Sequence, residues 1–273
     1  MSQTNGRVEE PGVKPGGLQG LDRVLAIIDR LAEAPMHAKE LADALGIKWS
    51  TAHRTLTHLR ESGCLTRDEA TGVYHIGPRL YFVGSSYLAS LPIIHAARME
   101  LRVAANQTRT TVQLAARYGR RSMNLLVIES DKELIPRSTI DFHFPLHCGS
   151  KGQALLAFAE PGFVEWYLSQ PLEPLTRHTV TDPDELRARL DVIRERDYAV
   201  TQGDVQLGSA SVASPVRDAS GAVIASVTLI TPHNELEGTE ATLVDVALTT
   251  ARSLSLQLGW RPGGATVASA GRV

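Results

Sequence analysis

Between Ala38 and Ile76 two short helical patterns run straight into a glycine-closed hairpin, an order of elements that leaves few folds open. Leu41, Ala44 and Leu45 mark a short helix from about Ala38, and Gly46 is placed to end it in the left-handed conformation. A second helix, from about Ser50 to Gly63, carries Ala52, Thr55, Leu56 and Leu59 on one face and leaves Thr51, His53, Arg54, Thr57 and His58 elsewhere. Cys64 to Arg67 and Val73 to Ile76 read as two strands joined through Asp68-Glu69-Ala70-Thr71-Gly72. Ahead of them, Leu21, Val24, Leu25, Ile28 and Leu31 form the stripe of an amphipathic helix that ends near Ala34-Pro35. Three helices followed by a hairpin make a winged helix-turn-helix.

The polar face of the third helix has the chemistry that DNA requires. Arg54 can make a bidentate contact to guanine or a charge contact to phosphate, and Ser50, Thr51, His53 and Thr57 can hydrogen-bond base edges or backbone oxygens. Lys48 and Arg67 flank it. From Lys48 to Arg67 the basic residues Lys48, Arg54, Arg60 and Arg67 face the single acid Glu61, although the whole chain carries a formal net charge of −2. Positive charge is therefore placed at this segment rather than spread over the chain. Trp49, which opens the helix, is expected to pack beneath the turn.

At 273 residues the chain is long enough for a small and a medium domain, each with its own core. The two cysteines, Cys64 and Cys148, fall on either side of the expected domain boundary, so no disulfide framework is implied and a reducing cytoplasm fits. The opening residues 1–17 contain no apolar core region, which argues against a signal peptide or membrane span and for a disordered tail. The closing residues 261–273 read as a second flexible tail.

The expected organisation is thus a DNA-binding domain over 18–77, a linker helix over 78–91 and a second domain over 92–260. The linker carries Leu80, Tyr81, Val83, Tyr87 and Leu88 on more than one side, and so apolar a helix is expected to pack on a second copy of itself. In the second domain, helices are expected over 92–107, 152–160, 162–169, 183–196 and 235–257. Strands are expected over 111–116, 123–128, 198–202, 211–216 and 223–231. Helices and hairpin-like strands mixed in this order argue for an α+β domain on an antiparallel sheet.

Several of these segments together resemble one family. Leu21-Asp22-Arg23-Val24-Leu25, Glu40-Leu41-Ala42, Ser50-Thr51-Ala52-His53-Arg54 and the run from Thr71 to Leu80 are similar to the amino-terminal domain of IclR-type bacterial transcriptional regulators. Phe144 to His147, Gly152 to Ala157, Leu175 to Thr179, Arg194 to Val200 and Ala213 to Val216 resemble the effector-binding domain of the same family, in order and spacing. The resemblance covers about Leu21 to Trp260. It implies a GAF-like second domain, a homodimer or dimer of dimers, and an inverted-repeat operator read by two recognition helices roughly 34 Å apart. It also implies allosteric control of a catabolic operon by a bound effector, with no membrane association and no cofactor. The candidate DNA-contacting set is Arg23, Lys48, Ser50, Thr51, His53, Arg54, Thr57, Arg67 and Tyr74.

For the effector, the turn Cys148-Gly149-Ser150-Lys151-Gly152 opens an apolar helix, and backbone N–H groups at such a start favour a carboxylate. A small organic acid is therefore expected. In the family the corresponding turn forms one wall of the pocket, and the resemblance adds Asp204, Ser211, Thr228 and Ile230 from later strands. Ser211 stands where a cysteine is common, and Ile230 replaces a polar side chain. Fewer polar groups point to an aromatic or long-chain acid rather than a two- or three-carbon one. Two other functional classes have candidate residues in this chain. His143, His147 and Cys148 form a loose candidate metal cluster, and Ser150 with His147 a candidate hydrolytic pair. Neither has the spacing of a metal motif, a Gly-x-Ser-x-Gly elbow or a phosphate loop, so no catalytic residue and no metal ligand is assigned. The alternative to a regulator is a metal- or nucleotide-responsive GAF-type enzyme.

Overall fold

The computed structural model describes residues 20–129 and 143–262. The expected tail over 1–17, and that over 261–273 apart from Arg261 and Pro262, lie outside them. The chain divides into two compact units, with the division falling between Leu91 and Pro92.

The first unit contains α1 (Gly20–Glu33), α2 (Ala38–Ala44), α3 (Trp49–Glu61), β1 (Leu65–Arg67), β2 (Tyr74–Ile76) and α4 (Pro78–Ser90). Gly46 ends the second helix region with φ +62°, a left-handed conformation that a side chain would strain. Ile27, Leu31, Leu41, Leu56, Leu59, Leu65 and Tyr74 form one buried cluster, so α1, α2, α3 and the hairpin share a core. The expected stripe on α1 is corrected here. Ile27 is fully buried, whereas Leu21 and Leu25 are 73% and 46% exposed, because the apolar arc of α1 is broader than the core it faces and only one edge of it turns inward.

Strands β1 and β2 pair antiparallel, with Leu65 opposite Ile76 and Arg67 opposite Tyr74. The wing is tied to the helices by a bridge in which Tyr74 N–H donates to Met36 O at 2.9 Å and Met36 N–H donates to Tyr74 O at 3.3 Å. At the exit from the wing, Gly77 N–H donates to Cys64 O at 2.8 Å. A Cβ on Gly77 would stand 2.4 Å from Gly63 O and 2.9 Å from Leu65 N, so only glycine lets the two backbones approach this closely. Helix α4 buries none of its residues within this unit; Tyr81 is 80% exposed and Phe82 72%.

The second unit contains α5 (Pro92–Thr108), β3 (Thr111–Tyr118), β4 (Arg121–Ile128), β5 (His143–Pro145), α6 (Gly149–Ala157), α7 (Pro161–Leu168), α8 (Pro183–Arg196), β6 (Ala199–Gln202), β7 (Ser209–Arg217), β8 (Val223–Pro232) and α9 (His233–Gln257). Its six strands form an antiparallel sheet in the order β5-β4-β3-β8-β7-β6, with a register shift between Leu114 and Ala115. Alternation along the strands sends Gln113, Thr201, Ser211, Ala213, Thr228 and Ile230 to the α6 side. Val112, Val212 and Leu229 fall on the opposite pleats and are fully buried, and α5 and α9 pack on the sheet. Both faces are therefore covered, which explains why β3, β7 and β8 read as almost continuous apolar runs. Strand β5 was not expected, and α6 starts three residues earlier than its apolar spacing suggested. Among the described residues no single helix is long and apolar enough to cross a membrane.

Under α7, the core buries a polar pair. The His147 ring bonds Tyr167 Oη at 2.9 Å through Nδ1 and Glu173 O at 3.0 Å through Nε2. A carbonyl can only accept, so Nε2 carries the proton and Nδ1 accepts from the phenol. Burial holds the His147 pKa below the usual histidine value.

Two outcomes follow. Gly77→Ala should lower the stability of the first unit by about 1–3 kcal/mol, read from urea unfolding, since the neighbouring backbone must shift to admit the methyl group. The depressed His147 pKa means that the unfolded chain binds the proton more readily, so this contribution is complete above about pH 6.5 and is lost as pH falls. The melting temperature should therefore drop between pH 7.5 and pH 5.5, and His147→Gln should flatten that drop.

Candidate DNA interface and effector cavity

On α3, Ala52, Leu56 and Leu59 are buried, which turns Ser50, Arg54 and Thr57 to the opposite side. Ser50, His53 and Arg54 are exposed, and Lys48 is the exposed residue that caps the helix start. Thr51 and Thr57 are half-buried; the Thr57 hydroxyl donates to His53 O at 2.9 Å, the usual resting bond of a helical threonine. The flank of α3 towards the wing forms one wall of a cleft of about 420 Å³, lined by Trp49, His53, Thr57 and Arg60. Arg67, Thr71, Gly72 and Tyr74 supply the wing side, and His37 and Lys39 close it from α2.

One member of the candidate set stands apart from this surface, and another meets it only from the core. Arg23 is half-buried on α1 and does not line the cleft. Tyr74 is 5% exposed; its ring belongs to the core, with the Arg67 guanidinium 5.8 Å above it. Trp49 corrects the expectation in the other direction. It is 57% exposed, and its ring stacks on His53 one turn along at 5.1 Å instead of packing beneath the turn. His37, Lys39 and Arg60 were not in the candidate set; Trp49, His53 and Arg60 recur at helical spacing, the signal that marks them as one face. At the wing tip Asp68 Oδ1 accepts from Ala70 N–H at 2.8 Å and Thr71 N–H at 3.1 Å, and these bonds hold its carboxyl below the usual range.

In the second unit a small cavity of about 40 Å³ lies between α6 and the sheet. Gly149, Ser150, Lys151, Ser211, Thr228 and Ile230 line it, joined by Gln113, Phe144, Val205 and Ser209. Ser150 Oγ donates to Ser211 Oγ at 2.7 Å, and Ser211 also bonds Thr201 at 3.1 Å. Lys151 is buried, its ammonium donating to Asn124 Oδ1 at 3.0 Å and lying 4.9 Å from the Phe144 ring centre. Thr228 is 2% exposed, and its hydroxyl is without a hydrogen-bond partner among the described residues.

Two expected members of this site lie behind it. Asp204 and Cys148 are buried but do not line the cavity. Asp204 Oδ2 accepts from Gly149 N–H at 2.5 Å and from Gln153 Nε2 at 3.3 Å, while Ser150 N–H donates to Thr201 Oγ1 at 3.0 Å. The first N–H groups of α6 are thus taken by the chain's own side chains, which corrects the expectation that they stand open to a ligand. Burial raises the Asp204 carboxyl above the usual range, against the lowering effect of the Gly149 N–H bond. Burial, reinforced by the Asp204 charge, pushes the Cys148 thiol up to about 12. The Ser150–His147 pair is not assembled: Ser150 bonds Ser211, and His147 bonds Tyr167 and Glu173. Among the described residues no three His, Cys, Asp or Glu side chains are grouped to hold a metal ion.

Residues 85–256 match the family described as bacterial transcriptional regulator IclR C-terminal, and residues 20–69 match the IclR helix-turn-helix domain. Over 271 residues the chain is 30% identical to the DNA-binding transcriptional repressor YiaJ of Escherichia coli K12, covering 95% of each chain. Over 255 residues it is 30% identical to the HTH-type transcriptional regulator BhcR of Paracoccus denitrificans, covering 90% of this chain and 89% of that relative. Among solved structures, an IclR homologue from Microbacterium hydrocarbonoxydans complexed with 4-hydroxybenzoate is 25% identical with a TM-score of 0.71, covering 86% of this chain and 98% of that one. The relatives are transcriptional regulators and repressors rather than enzymes, and the two matched domains account for both the winged unit and the α+β unit. This chain belongs to the IclR family of bacterial transcriptional regulators, DNA-binding proteins with a helix-turn-helix domain and a GAF-like C-terminal domain.

Proposed function

We propose that the protein is a dimeric regulator that reads an inverted-repeat operator through α3 and answers to a small organic acid bound between α6 and the sheet. The observation that carries the DNA reading is the side of α3 opposite Ala52, Leu56 and Leu59, where Ser50 and Arg54 are exposed beside a basic cleft. Contacts to DNA are assigned to Lys48, Ser50, Thr51, His53, Arg54, Thr57 and Arg67. Helix α4 supplies the reason for a second copy: Tyr81, Phe82, Val83 and Tyr87 are all exposed on one short helix. Two copies joined there present two recognition helices, and an effector acts by favouring one spacing of the pair over another.

The acid reading is carried by the Thr228 hydroxyl, buried without a partner in a cavity that also offers Ser150, Ser211 and the Lys151 ammonium. Phe144, Val205 and Ile230 give the body of the ligand an apolar wall, which supports an aromatic acid, as does the 4-hydroxybenzoate held by the Microbacterium relative. The enclosed volume of about 40 Å³ supports a second reading, a short aliphatic acid. Control of a catabolic operon is part of the same proposal, since such acids are nutrients and their breakdown products.

Selection from random duplexes should return an inverted repeat with half-sites about one helical turn apart, or a multiple of it. Arg54→Ala should weaken binding to the selected duplex by about 5- to 150-fold, the range of one bidentate contact, and an unchanged footprint would remove the assignment. Calorimetric titration with benzoate, 4-hydroxybenzoate, acetate and succinate ranks the two acid readings; failure of all of them to bind would sink both. Thr228→Val should split stability from sensing. It removes a buried hydroxyl that has no partner, so the melting temperature should stay level or rise, while affinity for the bound acid falls and DNA binding persists.

A further inference from the structure

At the wing tip Glu69 stands between two of the arginines that line the α3–wing cleft. One carboxylate oxygen of Glu69 lies 3.8 Å from the Arg60 guanidinium and the other lies 3.5 Å from that of Arg67. The two arginines come from different elements, the last turn of α3 and the end of β1, and both line the cleft. A carboxylate bridging two guanidiniums is the arrangement that a phosphodiester with two unesterified oxygens would adopt in its place. All three side chains are exposed enough for exchange: Glu69 is 77% exposed, Arg60 44% and Arg67 35%. Exposed ion pairs are weak, so the carboxylate is displaced at small cost. Glu69 is also dispensable to the wing turn, whose N–H groups are held by Asp68.

Resting on the DNA reading above, we propose that the cleft seats one backbone phosphate of the operator and that Glu69 occupies its two arginines until DNA arrives. Arg60 and Arg67 grip the phosphate from two sides, while His37, Lys39 and His53 add donors to the same wall. Glu69 lowers affinity for any duplex without altering which sequence is preferred, because a phosphate carries no base information.

The test measures binding of the full-length regulator to the selected duplex and to a scrambled one across a salt series. Glu69→Gln should tighten both by about three- to tenfold at low salt, with an unchanged melting temperature. Arg60→Gln should weaken both, reduce the slope of log affinity against log salt by about 0.9, and remove most of the gain from Glu69→Gln. Glu33→Gln removes the same formal charge from the Arg30 pair on α1 and serves as the control. An equal gain from Glu33→Gln, or no gain from Glu69→Gln, overturns the seat while leaving the base-reading role of Arg54 standing. Absence of salt-dependent binding by the wild type to any duplex overturns both.

Discussion

The bond from Gly149 N–H to the Asp204 carboxylate is the interaction from which the effector cavity takes its geometry. It joins the start of α6 to the segment between β6 and β7, 55 residues away, and that segment supplies Val205 to the lining next to Ser209 at the start of β7. Thr179 Oγ1 donates to Asp204 O at 2.6 Å and Thr176 Oγ1 to Gly203 O at 2.6 Å, so the backbone around the carboxylate is fixed as well. A charged hydrogen bond at a helix start contributes on the order of 1.5–3 kcal/mol, but burying the carboxylate costs energy of the same order. The upward shift of the Asp204 pKa says which effect wins on balance: desolvation. The bond serves to define position more than to add stability. Because the chain has placed its own carboxylate at this helix end, the polar groups left lining the cavity are the hydroxyls of Ser150, Ser211 and Thr228 and the Lys151 ammonium, the groups to which the proposed reading assigns the ligand.

In the first unit the corresponding constraint is mechanical. The Met36–Tyr74 bridge and the close approach at Gly77 lock the wing to the helices, so the distance between α3 and β1 is set by backbone rather than by mobile side chains. That rigidity lets one helix divide its surface. Ser50, Arg54 and Thr57 point away from the core, where base edges would lie, and Trp49, His53 and Arg60 line the flank. An indole more than half exposed to water is unfavourable in isolation, and stacking on His53 shields one face of it.

Much of this architecture was legible in the residues. Helix α8 matches its expected span to the residue, because Asp182 caps it through Asp184 and Glu185 N–H, Pro183 fits its first turn and Arg194 and Arg196 suit its last. The winged motif was equally clear, since its apolar spacings and turn glycines are local. What escaped depended on distant partners. The first turn of α6 holds Gly149, Ser150 and Lys151, which have no apolar periodicity; that turn is fixed by Asp204 and Thr201, more than fifty residues away. Strand β5 has only three residues and exists through its pairing with β4. Leu21, Leu25 and Trp49 are apolar yet exposed, and hydropathy by itself does not separate a residue facing its own core from one facing outward.

Cys148 gives the sensing domain a particular chemical character. Burial, which pushes its thiol up to about 12, strongly disfavours the reactive thiolate at neutral pH. Oxidants and electrophiles that modify cysteines act on that anion, so the core beside the cavity is inert to them. On the proposed reading, a ligand held between α6 and the sheet would meet a wall whose adjoining thiol is kept in its unreactive form.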